Sequence, residues 1–152
     1  MEIQKAEGKL GVLVVGIGGA VSSTFVVGTL AARKGLTTPI GSLTQMAYIE
    51  LGKGADKRES KIKDVVPLAD LNDLVIGGWD IFEEDVYAAA LHAEVLTEKD
   101  INKVKEELQA IRPMKAVFYQ EYVTRLHGTW VKDAPTKYDA MQQVKADIEE
   151  FK

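Results

Sequence analysis

The period of the apolar positions changes several times along the chain, and each change marks an element. Leu10–Val15 is a continuous valine-rich run closed by Gly16, as expected for a strand buried on both faces of a parallel sheet. From Val21 to Lys34 the spacing turns helical, with Phe25, Val26, Thr29 and Leu30 on one side. Arg33, Lys34 and Gly35 make a good helix end, because cations suit the carbonyl terminus and glycine tolerates the left-handed stop. Leu74–Gly78 predicts a second strand, entered through the turn-forming Asp70, Asn72 and Asp73. Glu83–Leu96 carries a helical stripe through Val86, Ala90, Ala93 and Leu96, with acids in its first turn. Thr97, with Asp100 three residues on, predicts the cap of another helix that buries Ile101, Val104, Leu108 and Ile111 and stops at Pro113. Lys115–Tyr119 predicts a third strand, and Tyr138–Phe151 a last helix with Met141, Val144, Ile148 and Phe151 inward.

Between these elements the pattern is weaker. Met1–Lys9 reads as a polar lead-in, Leu36–Tyr48 leaves room for a short strand at most, and the charged Gly52–Lys63 reads as an exposed loop. Strands separated by helices predict an α/β layered sheet with parallel strands and flanking helices. A complete dinucleotide-binding fold has about six strands. Only three clear strands and one doubtful one are visible, so the pattern is that of a partial domain.

Composition narrows the function. A chain of 152 residues with 46% hydrophobic and 28% charged residues is one ordinary globular domain. A net charge of −4 excludes the clustered basic surface that nucleic acid needs, yet leaves anionic small ligands open, since backbone amides bind them without cations. With no cysteine there are no disulfides, thiolate nucleophiles or cysteine-based metal sites, and a cytoplasmic location fits. Leu10–Ala32 has no charged residue and is long enough for a membrane span. Its central glycines and the following Ser22, Ser23 and Thr24 favour a strand, a turn and a packed helix instead, so no membrane association is expected.

Three motifs carry chemistry. The first, Gly16-Ile17-Gly18-Gly19-Ala20-Val21, lies where a strand becomes a helix. A pyrophosphate can approach the backbone there and accept from the unpaired amides of a helix N-terminus. A tight turn needing positive backbone angles is the plainer alternative. The pattern departs from the strict dinucleotide fingerprint, with Val21 at the third glycine position and Thr38 and Pro39 where an acid would stand. The second, Gly77-Gly78-Trp79-Asp80, falls at the carboxyl end of a strand, the edge where open α/β sheets bind ligands. Asp80 there suits a ribose hydroxyl or adenine amine as well as it suits capping the next helix. Trp79 suits either an adenine neighbour or the core. The third, Gly41-Ser42-Leu43-Thr44-Gln45, is by itself a turn.

Taken in order, the strand with its Gly16–Gly19 turn, GSLTQ at 41–45 and DLVIGGWDI at 73–81 resemble the amino-terminal part of the inositol phosphate synthase family. The spacing continues through Ala93–Leu96, Pro113–Tyr119 and the final helix, so the resemblance covers nearly the whole chain. It implies a Rossmann-like NAD-binding domain of an isomerase that converts glucose 6-phosphate to an inositol monophosphate. There NAD oxidises a sugar hydroxyl, an internal aldol step closes the ring, and the hydride is returned. By position it places Gly16, Gly18, Gly19, Ala20 and Val21 at the cofactor pyrophosphate, Asp80 at the adenosine, and Ala116, Val117 and His127 as further cofactor neighbours. The last three differ from the family's common serine, isoleucine and glutamine, and Ala20-Val21-Ser22-Ser23 replaces an asparagine-rich run. The resemblance also implies that the catalytic and substrate-binding lysines and the tetramer-forming domain lie in a later part of the polypeptide, so that this chain alone is inactive.

Lys53, Lys57, Lys61 and Lys63 are therefore expected to be solvent-exposed and not catalytic, and His92 to be a surface residue. Two alternatives stay open: an NAD(P)-dependent reductase or dehydrogenase domain, and a nucleotide-binding module without chemistry.

Overall fold

A computed structural model describes residues 7–152, so residues 1–6 of the lead-in expected at Met1–Lys9 lie outside the described residues, and residues 7–9 are irregular and exposed. Three parallel strands form the main sheet in the order β1 (Leu10–Val15), β4 (Leu74–Asp80), β5 (Met114–Lys115). Leu10 pairs with Leu74 and Val15 with Trp79, while Trp79 and Asp80 pair with Met114 and Lys115 on the other side. β4 is thus the middle strand, and its carboxyl end sits beside that of β1. The predicted parallel α/β architecture is observed.

Alternation along the strands assigns the two faces. Val12, Val14 and Ile76 join a core with Val26, Val27 and Leu30 of α1 (Ala20–Arg33) and Val86 and Ala90 of α4 (Val86–His92). Ile101 of α5 (Glu98–Asn102), Leu108 of α6 (Lys105–Ala110) and Val104 between the two helices complete it. Ile17, Val26, Ile101 and Leu108 are fully buried, each worth about 2 kcal/mol in transfer free energy. On the opposite face Leu13, Trp79 and Ile81 pack with Ala116, Val131 and Val144 under α7 (Lys137–Phe151). Arg33 ties the end of α1 to the entry of β4 by donating from Nε to the Leu71 carbonyl at 2.6 Å and from Nη2 to that of Leu74.

Several expectations change. Gly52–Lys63 is not a plain loop: β2 (Tyr48–Leu51) and β3 (Arg58–Lys61) form an antiparallel hairpin flanked by α2 (Leu43–Met46) and α3 (Ile62–Val65). Ile49 and Leu51 alternate with the exposed Tyr48 and Glu50, but the alternation lasts only four residues and its partner strand Arg58–Lys61 is entirely polar, too little pattern to predict a hairpin. Its turn needs Gly52 at φ +85, where a Cβ would also lie 2.4 Å from the Asp56 carbonyl oxygen. The helix expected from Thr97 to Ile111 is two helices, because Val104 leaves helical geometry at φ −128 and ψ 25. Thr97 does cap the first of them, accepting from the Asp100 amide. The third strand stops at Lys115, after which the Ala116 amide is shared between the carbonyls of Asp80 and Trp130, each at 3.2 Å.

The inward face of α7 is also rotated from the expected one. Ala140, Val144 and Phe151 face the sheet, whereas Met141 and Ile148 are exposed. On α1, Val27 is buried and Phe25 is not. Leu10–Ala32 is a strand, a turn and a helix, and no helix among the described residues is long and apolar enough to cross a membrane.

Candidate functional site

The glycine turn is anchored from below. Ile17 is completely buried in the core, and the amides of Gly16 and Ile17 both donate to the Trp79 carbonyl, at 2.8 and 3.1 Å. Gly16 sits at φ +76, a left-handed conformation that other residues rarely adopt, and Gly19 donates to the Gly16 carbonyl at 3.0 Å. Gly19 then begins α1 as its cap residue, with no side-chain cap bond. The Ser23 amide returns to the Gly19 carbonyl, while the amides of Ala20, Val21 and Ser22 have no acceptor among the described residues. Val15 and Val21 flank this end and are 83% and 85% exposed, so the three amides face open surface. Such an array, reinforced by the helix dipole, is what a phosphate oxygen accepts from.

Gly18 differs from its neighbours. Its amide donates to Asp80 Oδ2 at 2.8 Å, and a Cβ on it would lie 3.1 Å from that oxygen and 3.3 Å from the Ala89 Cβ. Gly18 therefore turns inward against β4 and α4. The other oxygen of Asp80 accepts from the amides of Ile81 at 2.7 Å and Phe82 at 3.2 Å. Asp80 is 8% exposed, with its carboxylate held by three backbone donors. It does not cap the next helix: that is Asp85, which accepts from the Ala88 amide at 2.9 Å.

The paired glycines of β4 answer to protein neighbours. A Cβ at Gly77 would meet the Phe151 ring at 2.7 Å, and one at Gly78 would lie 2.0 Å from the Val14 carbonyl oxygen. Trp79 fills the core and donates from its indole to Asp147 Oδ2 at 2.6 Å, so it is not held ready for an adenine.

The remaining residues named from the sequence gather at the same carboxyl edge. Ala116 is buried one residue beyond the Asp80 to Lys115 pair, and Val117 follows it at 38% exposure. His127 is exposed and precedes Gly128, which presses so closely on Ile81 that a Cβ would come within 2.4 Å of it. The Trp130 amide donates to the Ile81 carbonyl at 2.9 Å, fixing that segment beside the end of β4. GSLTQ stands apart. Ser42 precedes the one-turn α2, and Gly41 and Ser42 line a groove of about 630 Å³ with Phe25, Gly28 and Pro39. His92 is a surface residue paired with Glu84 at 2.8 Å, and Lys57 pairs with Glu50 on the exposed hairpin. Sequence reasoning missed Ser22 as a third open amide and the bond between Asp80 and Gly18. An acid ending the strand next to the glycine strand was the available signal.

A parallel strand, a glycine turn and a helix with open first amides, beside a strand ending in an acid, define a dinucleotide-binding α/β domain. The family model described as myo-inositol-1-phosphate synthase, a model of an NAD-binding domain, matches residues 10–152. The chain belongs to the myo-inositol-1-phosphate synthase family and corresponds to its NAD-binding part. It is 56% identical over 151 residues to inositol-3-phosphate synthase 1 of Bacteroides thetaiotaomicron, covering 99% of this chain and 34% of that protein. It is 25% identical over 175 residues to inositol-3-phosphate synthase of Saccharomyces cerevisiae, covering 100% of this chain and 33% of that protein. A crystal structure of inositol-3-phosphate synthase from Caenorhabditis elegans superposes with a TM-score of 0.78 at 29% identity, covering 95% of this chain and 31% of that one. The chain thus spans about a third of the length of the relatives it matches.

Proposed function

We propose that this chain supplies the NAD site of an inositol-3-phosphate synthase, which converts glucose 6-phosphate to inositol phosphate. The observation that carries the reading is the row of open amides at Ala20, Val21 and Ser22 above the Gly16–Gly19 turn. These residues fit a dinucleotide: the turn is shaped by Gly16, the surface above it is unobstructed, and the amides and helix dipole favour the pyrophosphate. Bound there, NAD would supply a hydride acceptor that later becomes the donor. The role of the chain is to hold the pyrophosphate with backbone amides, so the departure of Ala20-Val21-Ser22-Ser23 from the family's asparagines affects side-chain contacts and spares backbone ones. Ala116, Val117 and His127 are proposed to border the cofactor, since they share the carboxyl edge with the turn. Stabilising the oxyanion of an enolised sugar needs positioned cations. We assign that task, and tetramer formation, to the two-thirds of the relatives' length that this chain does not span, and the location to the cytoplasm.

Val21→Glu tests the reading. An acid in the first turn of α1 leaves the helix as stable or more so, because it complements the dipole, but it opposes a pyrophosphate on the same amides. Calorimetry is expected to show NAD affinity falling about tenfold or more, with an unchanged or raised melting temperature. Unchanged affinity in the folded variant would place NAD elsewhere.

A further inference from the structure

Among the described residues Asp80 is the one carboxylate that bonds to the glycine turn, and its bonding is unusual for a group that would contact a sugar. Oδ2 takes the Gly18 amide at 2.8 Å, and Oδ1 takes the Ile81 and Phe82 amides at 2.7 and 3.2 Å. The residue is buried, and a Cβ on Gly18 would crowd both Asp80 Oδ2 and the Ala89 Cβ of α4. We propose that Asp80 is a positioning residue, which acts on the cofactor through Gly18 rather than by touching the adenosine. Resting on the NAD-binding reading, this assigns the shape of the phosphate-binding turn to a side chain from a different strand.

The physical case has three parts. Gly16 and Ile17 are fixed to the Trp79 carbonyl, and Gly19 to the Gly16 carbonyl, which leaves Gly18 as the remaining free pivot of the turn. A charge-assisted bond to Asp80 fixes it and sends its amide inward, so that the amides of Ala20, Val21 and Ser22 are the ones presented outward. Three donors on one carboxylate also offset a negative charge that would otherwise oppose a nearby pyrophosphate. Asparagine cannot replace this arrangement. Its single carbonyl oxygen serves either Gly18 or the Ile81 and Phe82 pair, and its NH2 group then faces a donor on the other side.

The test compares NAD with an analogue lacking the adenosine ribose hydroxyls, on the parent chain, Asp80→Asn and Gly18→Ala. Gly18→Ala leaves the carboxylate intact but crowds Oδ2, where its Cβ would lie at 3.1 Å. Expected is a loss of about tenfold or more for Asp80→Asn, and a smaller loss for Gly18→Ala, each the same for NAD and analogue. Hydrogen exchange of the Gly18 amide is expected to accelerate in Asp80→Asn without ligand. In the parent, a coupling should pass from the Gly18 nitrogen to the Asp80 carboxyl carbon. A loss on Asp80→Asn that disappears with the analogue would show direct ribose contact and overturn the proposal, as would absence of the coupling. A parent chain that binds no NAD overturns the function reading itself. The coupling and exchange measurements still decide whether Asp80 sets the turn.

Discussion

The indole of Trp79 donates to Asp147 Oδ2 at 2.6 Å, joining the middle strand to the last helix across 68 residues of sequence. Lys132 closes the group with its ammonium 2.8 Å from the same oxygen, and the two charged side chains are only 9% and 17% exposed. The network sits under the strand that ends in Asp80, on the opposite face from the glycine turn.

Removing Asp147 leaves the Lys132 charge and the Trp79 donor unpaired in a largely dry site. Asp147→Ala is expected to destabilise the fold by about 3 kcal/mol in urea unfolding. Lys132→Ala should fall short of additivity with it, since both remove one interaction. Additive losses would show that the two side chains do not interact.

The glycine pair should respond unequally. Gly78→Ala places a Cβ 2.0 Å from the Val14 carbonyl oxygen, a backbone atom fixed in the β1 to β4 ladder. The loss is expected to reach about 3 kcal/mol or prevent folding. Gly77→Ala meets the Phe151 ring first, near the end of α7, which can swing aside at a loss of about 1 kcal/mol. Equal unfolding midpoints for the two variants would contradict the close approach at Gly78.

Stability should also fall in acid through the Lys34–Glu107 pair, which joins the end of α1 to α6. The Lys34 hydrogen bond leads the causes that hold the Glu107 carboxyl below its ordinary 4.5. A carboxyl depressed in the folded state contributes stability that is complete above its unfolded value and is lost as pH falls through the folded one. Both side chains are more than a third exposed, so solvent screening keeps the contribution under about 1 kcal/mol. Glu107→Gln should flatten that part of the stability curve, and salt should weaken it. Asp100 is depressed in the same direction, first by its bond from Lys103.

The local features were legible in the sequence because their causes are local. A valine run, a glycine with forced positive φ and a helical apolar spacing specify β1, the Gly16 turn and α1 within about 25 consecutive residues. Thr97 and the end at Pro113 were readable for the same reason. The resemblance of GSLTQ and GGWDI identified the family, although neither segment works as its bare composition suggests. GSLTQ borders a groove, and the glycines of GGWDI make room for Phe151 and Val14.

Only the tertiary structure decided how distant residues are used. Asp147 marks α7 as polar where it is in fact inward, because its partners Trp79 and Lys132 arrive from other elements and satisfy its charge. The hairpin from Tyr48 to Lys61 is held largely by backbone pairing, and its polar second strand, Arg58–Lys61, has no apolar period to announce it. Asp80 could be read as a cap or a ligand from its neighbours alone. Its actual partner lies 62 residues earlier, and the parallel pairing of β1 with β4 brings the two together. Sequence periodicity records which side of an element meets the core. Which donor meets which acceptor is fixed only when the strands are laid side by side.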